Sequence, residues 1–244
     1  MTGASSGIGA AIAVRLADAG ARLILHGQDG ARLAAMAERT GGVPLPADFS
    51  CPAALLAAIE QALQHPGGVD VLVNNAGIGW AGRLGEMTGD QVRRLVAVNL
   101  LAPLELTRAL VPGMVAKGHG HIVFVTSIAG RSGVAGEAVY AATKAGLDAF
   151  ADSLRFELAG TGVHVGVVVP GVVDTPFFTR RGRPYARARP RPVPPERVAD
   201  AVLRAISRTS AELYVPRWLR LPVALRGVSP AVYRALAGRF GGSE

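Results

Sequence analysis

The hydrophobic and polar positions of this chain follow two different periods that alternate along its length. Continuous apolar runs such as Val165–Val169 suit strands that are buried on both faces of a parallel sheet. Between these runs, apolar residues recur every three to four positions, which is the spacing of a helix with one buried face. The predicted strands are Arg22–His26, Val43–Ala47, Val69–Val73, His121–Thr126, His164–Val169 and Glu212–Val215. The predicted helices are Ile8–Ala19, Ala31–Arg39, Ala53–Gln64, Asp90–Val115, Ala138–Ala159 and Pro195–Ser207.

Strands that alternate with helices predict an α/β fold with a doubly wound parallel sheet in a single domain. This domain takes in residues 1–216, and a basic amphipathic extension follows at 217–244. The start of the chain departs from the pattern, because the glycine-rich turn Thr2–Gly9 has almost no strand before it. The first strand is therefore predicted to be missing or reduced to a stub. Either the natural start lies upstream of Met1, or the chain is a truncated form with a damaged sheet centre.

Composition narrows the class of protein. Half of the 244 residues are hydrophobic and 18% are charged, which excludes a disordered chain. The formal charge of +8 is concentrated in one segment, so nucleic-acid binding by the whole protein is not expected. Six arginines fall within twelve residues: Arg180, Arg181, Arg183, Arg187, Arg189 and Arg191.

Cysteine usage and hydropathy predict a cytoplasmic protein. Cys51 is the single cysteine and cannot form an internal disulfide, which favours a reducing compartment. No apolar run is expected to reach the roughly 18 residues that a membrane span needs. The start of the chain does not resemble a signal peptide, and no metal site is predicted.

Candidate chemistry begins with a lysine that is conspicuous because lysine is scarce. Lys144 is one of two lysines beside 24 arginines, and it follows Tyr140 by four residues. On a helix these two side chains share a face. A nearby ammonium favours phenolate, so Lys144 is expected to lower the pKa of Tyr140 toward neutral pH. The alternative is an amphipathic helix that carries both residues without using them.

Two further motifs lie where an open α/β sheet binds ligands. Gly3, Gly7 and Gly9 permit a tight turn, and the helix that follows offers free N–H groups to a pyrophosphate. The segment Asn74–Gly77 comes directly after a predicted strand. Each motif has a plain alternative, namely an ordinary glycine-rich loop and a polar turn.

Two polar residues complete the set of candidates. Ser127 closes the strand His121–Thr126, thirteen residues before Tyr140, although serine at a strand end is common without function. Asn99 lies inside an apolar helical stretch, where asparagine is unfavourable for helix formation. It is either functional or a satisfied amide in the core.

Taken in order, these residues resemble the short-chain dehydrogenase/reductase family over nearly the whole chain. The elements that match are Thr2–Gly9, Asp48, Asn74–Gly77, Asn99, Ser127, Tyr140 with Lys144, and the run Pro170–Thr175. Each is weak alone, whereas the ordered set is specific. The resemblance implies a Rossmann-like sheet and an NAD(P)-dependent enzyme that interconverts a secondary alcohol and a ketone.

The resemblance also implies the catalytic roles. Tyr140 would be the general acid and base at the substrate oxygen, and Ser127 would hydrogen-bond the same oxygen. Lys144 would hold the nicotinamide ribose, and Asn99 would help to keep a water-linked proton path.

For the cofactor, the resemblance implies a site distributed along the chain. The implied residues are Gly3, Ser5, Ser6, Gly7, Ile8, Gly9, Gln28, Asp48, Asn75, Ala76, Gly77, Tyr140, Lys144, Pro170, Gly171, Val173 and Thr175. Among them, Asp48 would contact the adenine amine, although it could instead cap the helix that begins near Cys51. NADP is favoured over NAD, because Gly27 provides no carboxylate to repel a 2′-phosphate and Gln28 follows it, with Arg32 as a helper.

The resemblance places the loop 174–195 over the substrate. Phe177 and Phe178 would pack on an apolar substrate, and the arginine cluster would attract an anionic group or simply lie in solvent. The extension 217–244 would contact a membrane surface, the core or a second subunit. Relatives of this kind are often homo-oligomers, so one is expected here.

Two other functions stay open. A non-catalytic dinucleotide sensor or interaction protein would keep the fold, and the short N-terminus favours it. A nucleotide-sugar epimerase is disfavoured by the length of the chain and by the spacing of Gly3, Gly7 and Gly9.

Overall fold

A computed structural model describes residues 1–186 and 189–240 of the chain, the last four of these by their backbone only. Arg187 of the predicted arginine cluster and residues 241–244 of the predicted extension lie outside the described residues.

The strands and helices of the structure alternate as the sequence predicts. The strands are β1 (Ile24–Gly27), β2 (Val43–Pro46), β3 (Val71–Asn74), β4 (Gly120–Val125), β5 (Val163–Pro170) and β6 (Glu212–Val215). The helices are α1 (Gly7–Asp18), α2 (Gly30–Thr40), α3 (Pro52–Leu63), α4 (Gly89–Val96), α5 (Ala102–Lys117), α6 (Ile128–Ser132), α7 (Ala138–Glu157), α8 (Phe177–Arg180), α9 (Pro195–Ser207), α10 (Arg220–Val228) and α11 (Pro230–Phe240).

The predicted long helix at Asp90–Val115 differs in one respect. A π-helical segment, Ala97–Leu101, separates α4 from α5. Pro103 lies just beyond it and has no N–H to donate to the Asn99 carbonyl, so this carbonyl lacks its usual helical donor. Such bulges are frequent at functional sites, and this one carries Asn99.

The sheet is parallel throughout and has helices on both faces. The strands pair in the order β1-β2 and β3-β4-β5-β6. Along β4, Ile122 and Phe124 belong to the core shared with α3, α5 and α7. Val123 and Val125 point the other way into the core shared with α1 and α9. The doubly wound α/β fold and the single domain are thereby confirmed.

The first four residues occupy the gap between the two parts of the sheet. The N–H of Thr2 donates to the Val73 carbonyl of β3 at 2.9 Å. On the other side, the backbone N–H of His26 in β1 donates to the Met1 carbonyl at 2.9 Å, and the His26 carbonyl accepts from the Ala4 N–H at 2.8 Å. Met1–Ala4 are therefore a stub that continues the hydrogen-bonding of the sheet, although they are too few to form a regular strand.

Thr2 fixes this stub to the loop after β3. Its hydroxyl accepts from the backbone N–H groups of Asn75 and Ala76, both at 3.0 Å. Since Thr2 is buried, neither donor has water as a ready substitute. One side-chain oxygen therefore joins the start of the glycine-rich turn to the loop after β3.

The helical run Gly89–Lys117 corrects the expectation that no apolar run is long enough to span a membrane. It has a mean hydropathy of 1.4, and by length and composition alone it could cross a bilayer. Leu106, Leu110 and Met114 of this run are buried in the core beside α3 and α7. It is therefore packed here as a core helix.

Replacing Thr2 with valine tests the importance of the stub. Thr2→Val keeps the shape but leaves the Asn75 and Ala76 donors unsatisfied, so the free energy of unfolding should fall by about 1–3 kcal/mol. Thr2→Ser keeps the oxygen and should cost clearly less. Urea denaturation followed by circular dichroism measures both, and equal losses for the two variants would contradict this account.

Candidate active site

A cleft of about 580 Å³ opens at the carboxyl ends of the strands. Nearly all of the site residues predicted from the sequence line it, although they come from seven separate segments. They are Gly3, Ser5, Ser6, Gly7, Ile8, Gly9, Gln28, Asp48, Asn75, Ala76, Gly77, Ser127, Tyr140, Lys144, Pro170, Gly171, Val173 and Thr175. Asn99 is the exception and lies behind the cleft wall. The tertiary structure therefore brings the predicted set together, while the role of each residue stays a prediction.

The glycine-rich turn forms one wall and requires glycine for steric reasons. Gly3 and Gly7 have φ angles of 71° and 55°, which favour residues without a Cβ. A Cβ on Gly9 would lie 1.8 Å from the Gly3 carbonyl oxygen, and one on Gly7 would lie 3.2 Å from Thr175. The turn thus leaves a cradle between itself and Thr175 that side chains would fill.

The start of α1 supplies donors to this cradle. Ser6 is the N-cap residue, yet its side chain makes no capping hydrogen bond to the first turn. The N–H groups at a helix N-terminus carry partial positive charge and favour a phosphate. An uncapped helix start beside a glycine cradle fits the pyrophosphate of a dinucleotide.

Asn75 supports the turn from below. Its amide nitrogen donates to the carbonyls of Thr2 at 3.0 Å and Gly3 at 3.3 Å. This amide therefore holds the backbone of the glycine-rich turn in place at the end of β3.

Asn99 is a buried and well-satisfied amide. Its oxygen accepts from the Ile78 N–H at 2.8 Å, and its nitrogen donates to the Ile78 carbonyl at 2.9 Å. The nitrogen also lies 3.3 Å from the Thr143 hydroxyl. The contacts of Asn99 are therefore those of a satisfied core amide. They join the loop after β3 to α7.

Lys144 points into the cleft from α7 and is 3% exposed. Its Nζ donates to the Val125 carbonyl at 3.0 Å and lies 5.9 Å from the centre of the Tyr140 ring. Burial lowers the pKa of Lys144 to about 8, and the charge of Asp148 opposes that shift. The side chain thus stays mainly protonated at neutral pH, with N–H groups left for a ligand.

Ser127 and Tyr140 meet because α6 packs closely on α7. A Cβ on Gly130 of α6 would lie 2.7 Å from the Ala145 nitrogen, so glycine permits this contact. Ser127 caps α6, and its hydroxyl accepts from the Ala129 N–H at 3.1 Å.

The pKa of Tyr140 differs from the sequence expectation. Burial is the largest influence and raises the pKa of the phenol well above its usual value, while a hydrogen bond from Ser127 opposes the rise. The ammonium of Lys144 is directed to the Val125 carbonyl and is not among the groups that shift this pKa. The expectation that Lys144 lowers the pKa of Tyr140 is therefore wrong for the chain by itself, and the phenol is protonated at neutral pH.

The far end of the cleft is polar. Asp48 accepts from the Ser50 N–H at 2.9 Å and from the Gln28 amide at 2.7 Å. These hydrogen bonds contribute to the lowered pKa of Asp48, against the opposing effect of burial. Asp48 does not cap the following helix, because Cys51 is the N-cap residue there. Arg94, which sequence reasoning missed, also lines the cleft at this end.

Arg32, the predicted helper, is held elsewhere. Its backbone N–H donates to Asp29, the N-cap residue of α2, at 3.0 Å. Its guanidinium forms a salt bridge with the same carboxylate at 3.2 Å. Arg32 is not among the residues that line the cleft.

His26 is a structural residue of the site that sequence reasoning did not single out. Its Nδ1 lies 3.4 Å from the Gly3 nitrogen and its Nε2 lies 3.0 Å from the Ala47 carbonyl, so one side accepts and the other donates. The ring stacks on Phe49 with centroids 3.6 Å apart. Burial lowers the pKa of His26 to about 4, which keeps it neutral.

A second cavity of about 590 Å³ lies on the other side of Tyr140. Tyr140 and Glu137 line both cavities. The wall of the second cavity combines apolar side chains, namely Trp80, Leu84, Met87, Leu95 and Val139, with the charged residues Arg83, Glu86, Glu137 and Arg183.

The segment that contains α8 covers this junction. Phe177 packs beside Tyr140 with ring centroids 5.5 Å apart. Arg181 forms a short salt bridge with Glu137, and both side chains are nearly buried. No local pattern predicts this pair, because the partners are 44 residues apart.

Comparisons with known proteins agree with this geometry. A family model described as short chain dehydrogenase matches residues 1–185. The ketoacyl reductase HetN of Nostoc sp. is 38% identical over 220 residues, which cover 88% of this chain and 77% of that protein.

Two solved structures are similar along most of the chain. A short-chain dehydrogenase from Sphingobium yanoikuyae in complex with NADPH has a TM-score of 0.83 and 33% identity, covering 95% of this chain and 94% of that one. A 3-ketoacyl-(acyl-carrier-protein) reductase from Brucella melitensis complexed with NADH has a TM-score of 0.80 and 31% identity. The match covers 88% of this chain and 94% of that one.

The neutral state of His26 predicts a pH dependence of stability. The folded pKa of about 4 is lower than the ordinary 6.5, so between these values the unfolded chain binds more protons than the folded protein. The stability that neutral His26 contributes is fully present above pH 6.5 and is lost as the pH falls toward 4. The free energy of unfolding falls by at most about 1.4 kcal/mol per pH unit from this cause.

The measurement is the free energy of unfolding in urea at several pH values from 4 to 7. The variant His26→Gln should lose much of the slope, whereas the exposed control His119→Asn should keep it. Parallel pH profiles for the wild type and His26→Gln would contradict the assignment.

Proposed function

This chain belongs to the short-chain dehydrogenase family and is an NAD(P)-dependent oxidoreductase, and on that premise we propose that it interconverts a lipophilic ketone and its secondary alcohol. The observation that carries the proposal is the position of Ser127, Tyr140 and Lys144. Tyr140 lines both the cleft at the strand ends and the second cavity, so the first can hold the dinucleotide while the second holds the substrate.

The dinucleotide supplies or accepts the hydride when it is bound. The protein controls the proton at the substrate oxygen. Tyr140 holds a proton on its phenol at neutral pH, because burial raises its pKa, and it can donate that proton to a carbonyl oxygen. In the reverse direction the same oxygen accepts the proton of the alcohol. Ser127 would donate a hydrogen bond to the substrate oxygen as negative charge develops there.

Lys144 would place a compact positive charge beside the phenol and the ribose. Its bond to Val125 uses one of three N–H donors, so others are left for sugar hydroxyls. A guanidinium in this position would be broader and planar, which explains why a chain rich in arginine has lysine here.

We assign the cofactor residues by the segment of the cleft that each one lines. The turn from Gly3 to Gly9 would hold the pyrophosphate, and Asn75 with Gly77 would lie at the adenosine ribose. Asp48 would contact the adenine amine. Pro170, Gly171, Val173 and Thr175 would hold the nicotinamide side, with its carboxamide at Val173 and Thr175.

NADP is the preferred dinucleotide in this proposal. Gly27 and Gln28 at the end of β1 carry no carboxylate that would repel a 2′-phosphate. Arg94 adds positive charge at the same end of the cleft. Relatives of known structure bind NADPH in one case and NADH in another, so the preference rests on these residues.

A lipophilic substrate is supported by the apolar side chains that the second cavity presents, such as Trp80, Leu95 and Val139. A cavity of about 590 Å³ is large enough for a substrate of drug-like size, and its charged residues would contact any polar group that the substrate carries. The two relatives described as ketoacyl reductases act on ketones, which is consistent with a carbonyl at Tyr140.

The alternative of a non-catalytic dinucleotide sensor loses its main support. It rested on the apparent loss of the first strand, and Met1–Ala4 lie in the corresponding gap of the sheet. A filled catalytic set in an oxidoreductase family favours turnover.

Assembly and location remain proposals. Exposed apolar side chains on helices, such as Phe156 on α7 and Leu101 before α5, favour a homo-oligomer. Trp218, Leu221 and Val228 are exposed near arginines in the extension, which would suit peripheral contact with an anionic membrane from the cytoplasmic side.

The catalytic assignment predicts that substitutions at Tyr140 and Ser127 lower the turnover rate, and that the Ser127 substitution does so without weakening cofactor binding. Tyr140→Phe should lower kcat by about 10²- to 10⁴-fold, and Ser127→Ala by about 10²- to 10³-fold, because each removes a group at the reacting oxygen. NADPH affinity should change little in Ser127→Ala. Steady-state assays with a panel of apolar ketones give kcat, and fluorescence titration gives the affinity.

Tyr233→Phe is the matched control, since its hydroxyl bonds the Ser132 carbonyl at 3.1 Å. It should keep full activity. Wild-type rates in Tyr140→Phe would rule out the proposed proton transfer.

The cofactor preference predicts a higher kcat/KM with NADPH than with NADH. Gln28→Glu introduces a carboxylate and should lower kcat/KM for NADPH more than for NADH. Gln28→Ala removes the bond to Asp48 without adding charge and should change both values equally. A wild-type preference for NADH would contradict the proposal.

A further inference from the structure

Two adjacent arginines at the end of α8 have very different surroundings. Arg181 is 10% exposed, pairs with Glu137 and lies over the Phe178 ring at 4.6 Å. Arg180 is exposed, and its Nη1 donates to the Ser6 hydroxyl at 2.9 Å. Arg181 therefore fixes α8 to the body of the protein, and Arg180 extends from this fixed point to the glycine-rich turn.

The guanidinium of Arg180 lies in an unfavourable electrostatic environment. Ser6 is the N-cap residue of α1, so the guanidinium lies beside the positive end of a helix, where a cation is unfavourable. Among the residues that the structure describes, no carboxylate forms a salt bridge with Arg180. An anion between the guanidinium and the helix start would remove the repulsion and give both groups a partner.

Both groups line the same cleft. Ser6, Gly7 and Arg180 all contribute to its wall, together with Thr175, which faces the turn. The neighbouring Phe177 lies against Tyr140 at the substrate side. A ligand that Arg180 holds at the turn is thereby linked through one short helix to Tyr140.

We propose that Arg180 binds a pyrophosphate oxygen of the dinucleotide together with the start of α1, and so holds α8 over the bound cofactor. This inference rests on the proposed dinucleotide site. It assigns to one arginine of the cluster a function other than attraction of an anionic substrate.

The test compares ligands that differ in their phosphates. Isothermal titration calorimetry measures the affinity of the full chain for NADPH, NADH, ADP-ribose and adenosine 2′-monophosphate. Arg180→Gln should weaken the first three by about tenfold each, as expected for loss of an exposed charge-assisted hydrogen bond. The affinity for adenosine 2′-monophosphate, which has no pyrophosphate, should stay within twofold. Arg180→Lys should be intermediate, because it keeps the charge without the planar fork.

Arg183→Gln is the matched control, with the same loss of charge in the same segment, and it should leave all four affinities unchanged. Chymotrypsin provides an independent readout, because it cuts after Phe177, Phe178 and Tyr185. NADPH should protect these bonds in the wild type and protect them less in Arg180→Gln. The thermal midpoint of Arg180→Gln without ligand should match that of the wild type, since the side chain is exposed.

Several results would overturn the inference. Unchanged dinucleotide affinity in Arg180→Gln with a raised KM for an anionic ketone would assign Arg180 to the substrate instead. Weakening confined to NADPH and adenosine 2′-monophosphate would assign it to the 2′-phosphate. Failure of the wild-type protein to bind any dinucleotide would overturn the proposed function as well, whereas wild-type binding that Arg180→Gln leaves intact would overturn this inference alone.

Discussion

The hydrogen bonds of Met1–Ala4 to β1 and β3 are the constraint on which the site depends. They join a two-stranded sheet to a four-stranded sheet at the point where the glycine-rich turn leaves the sheet. Thr2, Asn75 and His26 then hold that turn from three sides, each through a bond to backbone. Backbone groups buried at a sheet centre must be paired, so these few residues fix the end of the cleft where the glycine-rich turn lies.

The second constraint is the burial of charge at the other end of the cleft. Lys144 is enclosed and has a carbonyl, not a carboxylate, as its direct partner. A buried ammonium without a paired anion is costly, and its lowered pKa reflects that cost. Tyr140 beside it stays protonated for the same reason, since burial disfavours phenolate. The proposed chemistry uses this balance, because a bound ligand changes the charge around both groups.

The two sides of the site are built differently. The proposed dinucleotide side consists of strand ends and one helix start, all tied by backbone hydrogen bonds. Beside Tyr140 lies a short helix, α8, and the ion pair of Arg181 with Glu137 joins its end to the loop before α7. Ligand-binding segments with few buried contacts open more readily than the core. Specificity for the substrate is therefore expected to reside in α8 and the second cavity.

The sequence by itself determined the order of strands and helices, because the change from continuous apolar runs to helical spacing is written locally. It also determined the candidate set around Ser127, Tyr140 and Lys144, since the spacing of two residues on one helix turn is a local property. The π-helical segment at Asn99 was missed because the hydrophobic pattern of the helix continues through it, so no local signal marks the change of hydrogen bonding. Only the tertiary structure decided that four residues suffice to fill the sheet centre, that burial and not Lys144 shifts the pKa of Tyr140, and that Arg180 reaches Ser6. Each of these depends on groups far apart in the chain, and burial and long-range pairing are properties of the packed fold that no local pattern records.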